Sequence, residues 1–442
     1  MKTSVVLDYH LATGRVGYLV RALLKFEGDA QETDSKAPLN LSLVLDRSGS
    51  MSGEKLRYAR NAAAFLVRRL RPEDVVSVVA YDDTVTTVAE PATGAQQAGL
   101  PAEIETIRTG GSTNLSGGWL RGRELVARNS VNGNAAAPSD NVKPKPANGA
   151  RKTINRVLLL TDGLANVGIT DPNGLTGLCR EAADAGVTTS TIGFGEDYDE
   201  ELLRAMAEAG AGHSYYIENA DQAPGVFEEE IEGLLSLAAQ NIEVKIEPEA
   251  SVELVNVHNN YPSHCGADGI TVNLGDLYAR EPKSLLIEFF VPGIEELGAR
   301  DIAEIRATAD VMTAGGGVER QEIRLPVSAS LSGEGTAEPE IERTRLLLDA
   351  AKARDEALER GRRGDFDGAV EALHSVNLAC MAAPELGPMV AEQAADLSAM
   401  AEKYRSRKVS SADEKYLYQR AYNARRGKAI YEEKISRQKK KD

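Results

Sequence analysis

The sequence predicts an α/β protein: a doubly wound, mainly parallel sheet inserted in an antiparallel β-sandwich and followed by an α-helical C-terminal region. Three observations carry this expectation. Between about 38 and 238, short Val/Leu runs alternate with amphipathic segments, the pattern of buried parallel strands joined by crossover helices. From 239 to 332 the helical spacing stops, and short runs separated by Gly, Pro, Asn and Asp take over. Beyond 333 the apolar spacing is helical again.

The elements follow in order. Residues 1–37 hold two strand-like runs, Ser4–Asp8 and Arg15–Phe26, which cannot form a core alone and are expected to complete the sandwich of 239–332. The run Leu41–Leu45 ends at Asp46 and reads as a buried strand. Leu56, Ala59, Ala63, Leu66 and Leu70 then recur at helical spacing until Pro72. Strands are expected at Val75–Tyr81, Thr84–Val88, Val157–Thr161 and Thr188–Phe194, and helices near 116–128, 173–185, 199–209 and 221–237. A polar stretch at 129–151, without aromatic anchors, reads as a disordered surface insertion. Six sandwich strands are expected between Asn241 and Val327, then a linker at 328–337. Helices near 339–363, 366–380, 385–405 and 411–437 close the chain. The expected divisions are therefore 1–37, 38–238, 239–332 and 333–442.

Composition narrows the function. The 442 residues are 42% hydrophobic and 27% charged, ordinary for a globular chain and unlike collagen or a disordered polymer. A net charge of −16 opposes wholesale coating of nucleic acid or an anionic membrane. Cys179, Cys265 and Cys380 are scattered and odd in number, so neither a disulfide framework nor a cysteine zinc site is encoded, and a reducing, cytoplasmic setting is expected. Asp8 and His10 interrupt any leader-like apolar run, and no membrane span is expected.

Chemistry concentrates at strand ends. Asp46-Arg47-Ser48-Gly49-Ser50 puts one carboxylate and two hydroxyls on the turn after a buried strand, at the edge where α/β sheets bind ligands. Gly110-Gly111-Ser112-Thr113-Asn114 offers a hydroxyl before a helix, and Thr161-Asp162-Gly163 ends the next buried strand with a carboxylate. Each alone is ordinary turn chemistry, but the three in order point to one rim. Oxygen donors without His or Cys suit Mg²⁺ or Mn²⁺ rather than zinc.

DxSxS, a later Thr and a later Asp-Gly resemble the metal-ion-dependent adhesion site of von Willebrand factor type A (VWA) domains, a Rossmann-like fold. The segments DRSGSM, VVSVVAYDD, GGSTNL, LLLTDG and GHSYYIENADQ strengthen the likeness over about 38–238. The resemblance implies that Ser48, Ser50 and Thr113 coordinate the metal through hydroxyls, with Asp46 and Asp162 acting directly or through water. It also implies a protein partner whose Asp or Glu completes the metal shell, coupling to a last helix near 221–237, and AAA+ ATPases as one partner class. The flanking strands are similar in pattern to those around the VWA domains of inter-alpha-trypsin-inhibitor heavy chains.

The expected function is a metal-dependent protein-binding module, a scaffold or adaptor and not an enzyme. A metal-dependent hydrolase or phosphoryl-transfer enzyme is the alternative. Asp46 superficially resembles a haloacid-dehalogenase nucleophile, but that pattern needs Asp where Ser48 stands, and no GxSxG, P-loop or HExxH occurs. As a residue on a surface rim, Asp46 is expected to add little to the core, so that Asp46→Ala leaves the fold intact. His258, His264 and Cys265 share one loop-like stretch, three potential ligands without a fourth. From Arg405 to Asp442, 13 basic and 5 acidic residues give +8, leaving −24 on the rest. A helix near 411–437 packed on its own acidic body or on a symmetry mate, mainly through Tyr416, Leu417, Ala421 and Ile430, with Tyr418 and Tyr422 defining an alternative face, is favoured over a nucleic-acid arm.

Overall fold

The computed structural model describes residues 1–9, 17–28, 38–132, 153–162, 165–194, 199–217, 236–279, 282–292, 298–313, 318–331 and 338–425. The expected insertion at 129–151, the helix near 221–237 and the chain beyond Arg425 lie largely or wholly outside them. The chain divides into two compact units, one of residues 30–241 with 310–320, the other of 1–29, 242–309 and 321–442.

The strands of the whole chain are β1 (Lys2–Tyr9), β2 (Tyr18–Glu27), β3 (Leu39–Asp46), β4 (Val75–Tyr81), β5 (Val85–Thr93), β6 (Ile154–Thr161), β7 (Val187–Phe194) and β8 (Ala211–Ile217). They continue with β9 (Leu237–Pro248), β10 (Glu253–Val257), β11 (Ser263–Gly266), β12 (Gly269–Tyr278), β13 (Pro282–Val291), β14 (Gly298–Met312) and β15 (Val318–Leu331). The helices are α1 (Glu54–Arg69), α2 (Leu100–Glu105), α3 (Leu115–Asn132), α4 (Pro172–Asp184), α5 (Glu200–Ala209), α6 (Pro339–Arg362), α7 (Phe366–Met381), α8 (Pro388–Arg405) and α9 (Ser411–Arg425).

The first unit is built on a six-stranded sheet of order β5-β4-β3-β6-β7-β8, parallel except for β5 at one edge. Because side chains alternate across a strand, the central β3 feeds two cores. Leu41, Leu43 and Leu45 pack with Leu56, Ala59 and Leu66 of α1 on one face. Val44 packs with Trp119 of α3, Leu175 of α4 and Leu203 of α5 on the other. A Cβ on Gly122 would stand 2.4 Å from Val44 Cγ2, so only glycine lets α3 lie this close to the sheet. Asp171 and Asp199 start α4 and α5 by accepting hydrogen bonds from the backbone N–H of Gly174 at 2.7 Å and Leu202 at 2.9 Å.

The second unit contains the four-stranded sandwich sheet, most of the five-stranded one and the helical region. β2 lies between β1 and β13 in a four-stranded antiparallel sheet of order β1-β2-β13-β10, so residues before the inserted α/β domain pair with residues after it. The other sheet runs β11-β12-β9-β14-β15. Its edge strand β11 corrects the loop expected around His264 and Cys265, which is a short hairpin with β12 whose four residues are all exposed. Ile341 and Leu348 of α6 pack on Leu23 and Leu286 of the four-stranded sheet. α6 to α9 form a bundle in which Arg354 is buried and held by Gln393 at 2.5 Å and Asp396 at 2.7 Å. In α9, Leu417, Ala421 and Tyr422 are buried and Tyr416 is exposed, so Tyr422 replaces Tyr416 on the docking face, while Ile430 lies outside the described residues. No described helix is long and apolar enough to cross a membrane.

Candidate functional site

β3 runs fully buried to its last residue and delivers Asp46 to the carboxyl edge of the parallel sheet, between the ends of β4 and β6. The chain then turns through Ser48–Met51. Backbone hydrogen bonds stitch this turn to its neighbours: Arg47 N donates to Tyr81 O at 2.8 Å, Gly49 N to Gly111 O at 2.9 Å, and Gly110 N to Arg47 O at 2.7 Å. The glycine-rich loop is held in turn by Asn114 N on Asp82 O at 2.8 Å and Gly111 N on Asp82 Oδ2 at 3.3 Å. A Cβ on Gly110 would lie 1.6 Å from Asp82 Oδ2, so the loop meets Asp82 only because glycine stands there.

Side chains complete the rim. Ser48 Oγ and Ser50 Oγ are 3.1 Å apart, and Ser50 Oγ donates to Asp162 Oδ1 at 2.8 Å, which joins the β3 turn to the end of β6. Lys55 Nζ donates to Asp162 Oδ2 at 2.6 Å. Asp46 Oδ1 accepts from Ser48 N at 2.7 Å, while Oδ2 accepts from Thr161 Oγ at 2.5 Å and Tyr81 OH at 3.4 Å. Thr113 sits two residues beyond the Gly49-bound Gly111. Its N–H donates to Asn166 Oδ1 at 2.8 Å and its carbonyl accepts from Asn166 and Val167. Its hydroxyl makes no hydrogen bond among the described residues.

Burial sets the electrostatics. Asp46 and Asp162 are 0% exposed, Ser48 is 2% and Thr113 3% exposed, while Ser50 lies in the open. The expectation that Asp46 is a surface residue of little weight in the core is therefore corrected, because the fold closes over its carboxylate. Desolvation pushes the Asp46 carboxyl above its usual range, opposed by the Thr161 and Ser48 hydrogen bonds and reinforced by the charge of Asp162. The buried Tyr81 hydroxyl is held well above 10 by desolvation and by Asp46 beside it. Asp82 is desolvated as well, but hydrogen bonds from Thr84 and Gly111 and the charge of Arg47 bring it below the usual carboxylate value.

The rim's donors are all oxygen, two carboxylates and several hydroxyls, a set that fits a hard divalent cation better than zinc. Among the described residues no three His, Cys, Asp or Glu converge as metal ligands. At this rim the donors beyond two carboxylates are hydroxyls. His258 is buried, whereas His264 and Cys265 lie exposed on the β11 hairpin.

Sequence reasoning missed Lys55, Asp82, Asn166 and Thr161. Lys55 lies in the first turn of α1, where a basic residue is unfavourable beside the helix N-terminus, and that mismatch is a signal. Asp82, just past a buried strand, carries the same strand-end signature as Asp46. Asn166 and Thr161 leave no mark, since their roles come from partners 53 and 115 residues away.

With this geometry in hand, residues 40–229 match the von Willebrand factor type A domain. The chain contains a domain of that fold, flanked by sheet. It is 29% identical to the uncharacterized protein YfbK of Escherichia coli over 231 residues, covering 51% of this chain and 37% of that one. It is 26% identical to the uncharacterized protein sll0103 of Synechocystis over 358 residues, covering 78% and 79%. The solved von Willebrand factor type A protein from Catenulispora acidiphila superimposes with a TM-score of 0.69 at 15% identity, covering 94% of this chain and 95% of that chain, a shared fold.

Proposed function

We propose that this chain is a divalent-cation-dependent protein-binding module in which Asp46, Ser48, Ser50, Thr113 and Asp162 hold Mg²⁺ or Mn²⁺. The observation that carries the reading is the chain of contacts from Ser48 through Ser50 to Asp162, which gathers oxygen donors from two loops onto one strand-end rim. A bound cation with a mostly neutral hydroxyl shell would supply an acceptor site for an Asp or Glu carboxylate of a protein partner.

The chain's own residues do the rest. Thr161 and Ser48 N–H fix both oxygens of Asp46, so the β3 turn starts from one orientation. Gly110 and Gly111 bring the Thr113 loop against the turn, and Asn166 holds Thr113 in place. As a covalent nucleophile Asp46 would first have to release Ser48 N–H or Thr161, whereas serving a cation directly or through water leaves both contacts in place, which favours binding over an Asp46-based hydrolase.

In this reading residues 38–238 are the binding domain, within a sandwich of 1–37 and 239–332, and 333–442 is a helical appendage. The chain acts as a cytoplasmic scaffold or adaptor, with an AAA+ ATPase as one partner class from the precedent of VWA domains. The three free cysteines are compatible with a reducing compartment.

Electron paramagnetic titration of Mn²⁺ into the full chain tests the reading. The wild-type protein should bind one equivalent, Mg²⁺ should compete, and Asp46→Ala should abolish binding. A wild-type chain that ignores Mn²⁺ ends the proposal. Affinity capture with Mg²⁺ against EDTA then identifies the partner.

A further inference from the structure

The rim holds a cation of its own. Lys55, in the first turn of α1, places its ammonium 2.6 Å from Asp162 Oδ2, while Ser50 engages the other oxygen of the same carboxylate. Asp162 has no exposed side-chain surface, whereas the Lys55 side chain remains 31% exposed. A buried carboxylate without a countercharge is costly, so the ammonium serves a need that exists whenever no other cation is present.

Charge balance limits how many cations the rim can hold at once. Asp46 and Asp162 carry two negative charges at full ionisation, and a divalent cation matches them alone. With Lys55 still on Asp162, the rim would hold an extra positive charge beside the cation, in surroundings where repulsion is only weakly screened. The Lys55 side chain is about a third exposed and lies in the first turn of α1, outside that helix's buried face, so its flexible stem gives the ammonium a route into water.

We propose that Lys55 is an intramolecular competitor of the divalent cation: its ammonium occupies Asp162 in the cation-free protein, leaves when the cation binds, and thereby sets the rim's affinity. This rests on the metal-binding reading above. Lys55 is thus a residue that tunes affinity rather than a ligand, and the first turn of α1 exchanges a contact each time the cation comes or goes.

The test is Mn²⁺ titration of the full-length wild type, Lys55→Met, which keeps the stem without the charge, and Lys55→Gln, which keeps a donor to Asp162 without the charge. Both variants should bind Mn²⁺ on the order of tenfold more tightly, as loss of one like charge beside a divalent ion predicts. Thermal melts in EDTA provide the second readout, and Lys55→Met should melt lower than wild type without cation and regain the difference with Mg²⁺. Unchanged or weaker Mn²⁺ affinity in both variants, while wild type binds, overturns the competitor role and leaves the metal reading standing. No Mn²⁺ binding by any of the three proteins overturns both.

Discussion

Thr161 donates its hydroxyl to Asp46 Oδ2 at 2.5 Å, from the last residue of one parallel strand to the last residue of its neighbour, and both residues are completely buried. The contact makes Asp46 part of the sheet's end as well as part of the rim. A carboxylate proposed to serve a cation therefore also satisfies a hydroxyl and the Ser48 N–H in the core.

Asp46→Ala should cost stability even without metal. Removing the acceptor orphans the buried Ser48 N–H and takes one partner from the Thr161 hydroxyl, which keeps Tyr81, and a buried orphan costs about 1–3 kcal/mol. Desolvation of the Asp46 carboxylate offsets part of this. Urea unfolding in EDTA should show a net loss of about 1–3 kcal/mol with a cooperative transition retained. A variant as stable as wild type would mean that water replaces the carboxylate in the cavity.

Stability should also depend on pH through His258. Its ring is buried, and neither nitrogen has a hydrogen-bond partner among the described residues. Burial holds its pKa below 6.5 and the charges of Lys352 and Arg21 add to this, while Glu288, 3.7 Å away, and Asp349 oppose. The unfolded chain takes up a proton near 6.5 and the folded chain only at lower pH. The stabilising contribution is therefore full above 6.5 and is lost as pH falls through the folded value. Urea midpoints measured from pH 7.5 down to 5 should decline less steeply in His258→Leu than in wild type; parallel profiles would remove His258 as the cause.

Thiol reactivity offers a check on both units. Burial pushes the Cys179 thiol up to about 12 and raises Cys380, whereas Cys265 is exposed on its hairpin. Thiolate is the reactive form, so a disulfide reagent at mild alkaline pH should titrate Cys265 alone in the folded chain. All three should react in denaturant, and rapid reaction of Cys179 in the native protein would contradict the packing of α4 on the sheet.

The sequence made some of this architecture legible for physical reasons that individual elements show. β3 is readable because a strand buried on both faces reads as a nearly continuous apolar run, here Leu41–Leu45 with only Ser42 interrupting. β5, expected to end at Val88, runs to Thr93, because an edge strand tolerates Pro91 and pairs through register shifts that local pattern does not show. β11 is invisible in the sequence, since four exposed residues carry no alternation. At the site, DxSxS and Asp162 stand out as strand-end chemistry. The depth of Asp46 does not, because it is created by Thr161 far along the chain, and neither does the reach of Lys55 to Asp162 across 107 residues.

Apolar packing rather than ion pairing should hold α9. Its ion pairs include Arg362 with Glu414 at 3.3 Å, Lys403 with Asp413, Arg420 with Glu392 at 3.0 Å, and Arg425 with Asp355, and the first three are partly exposed to solvent. Exposed pairs contribute about 0–1 kcal/mol and fade with salt, since the screening length is only about 8 Å at physiological ionic strength. Leu417, by contrast, is fully buried in one cluster with Leu358, Leu397 and Tyr404. Leu417→Ala should therefore destabilise the helical bundle by about 2–5 kcal/mol, and Glu392→Gln by under about 1 kcal/mol. Urea unfolding at low and high salt separates the two, with the Leu417 effect persisting in high salt. A chain ending at Arg425 loses the last seven basic residues. Neither it nor the full chain should bind random single-stranded DNA at micromolar concentration and physiological salt. Binding by the full chain that vanishes on this truncation would show that the basic end serves nucleic acid, whatever α9 does in the bundle.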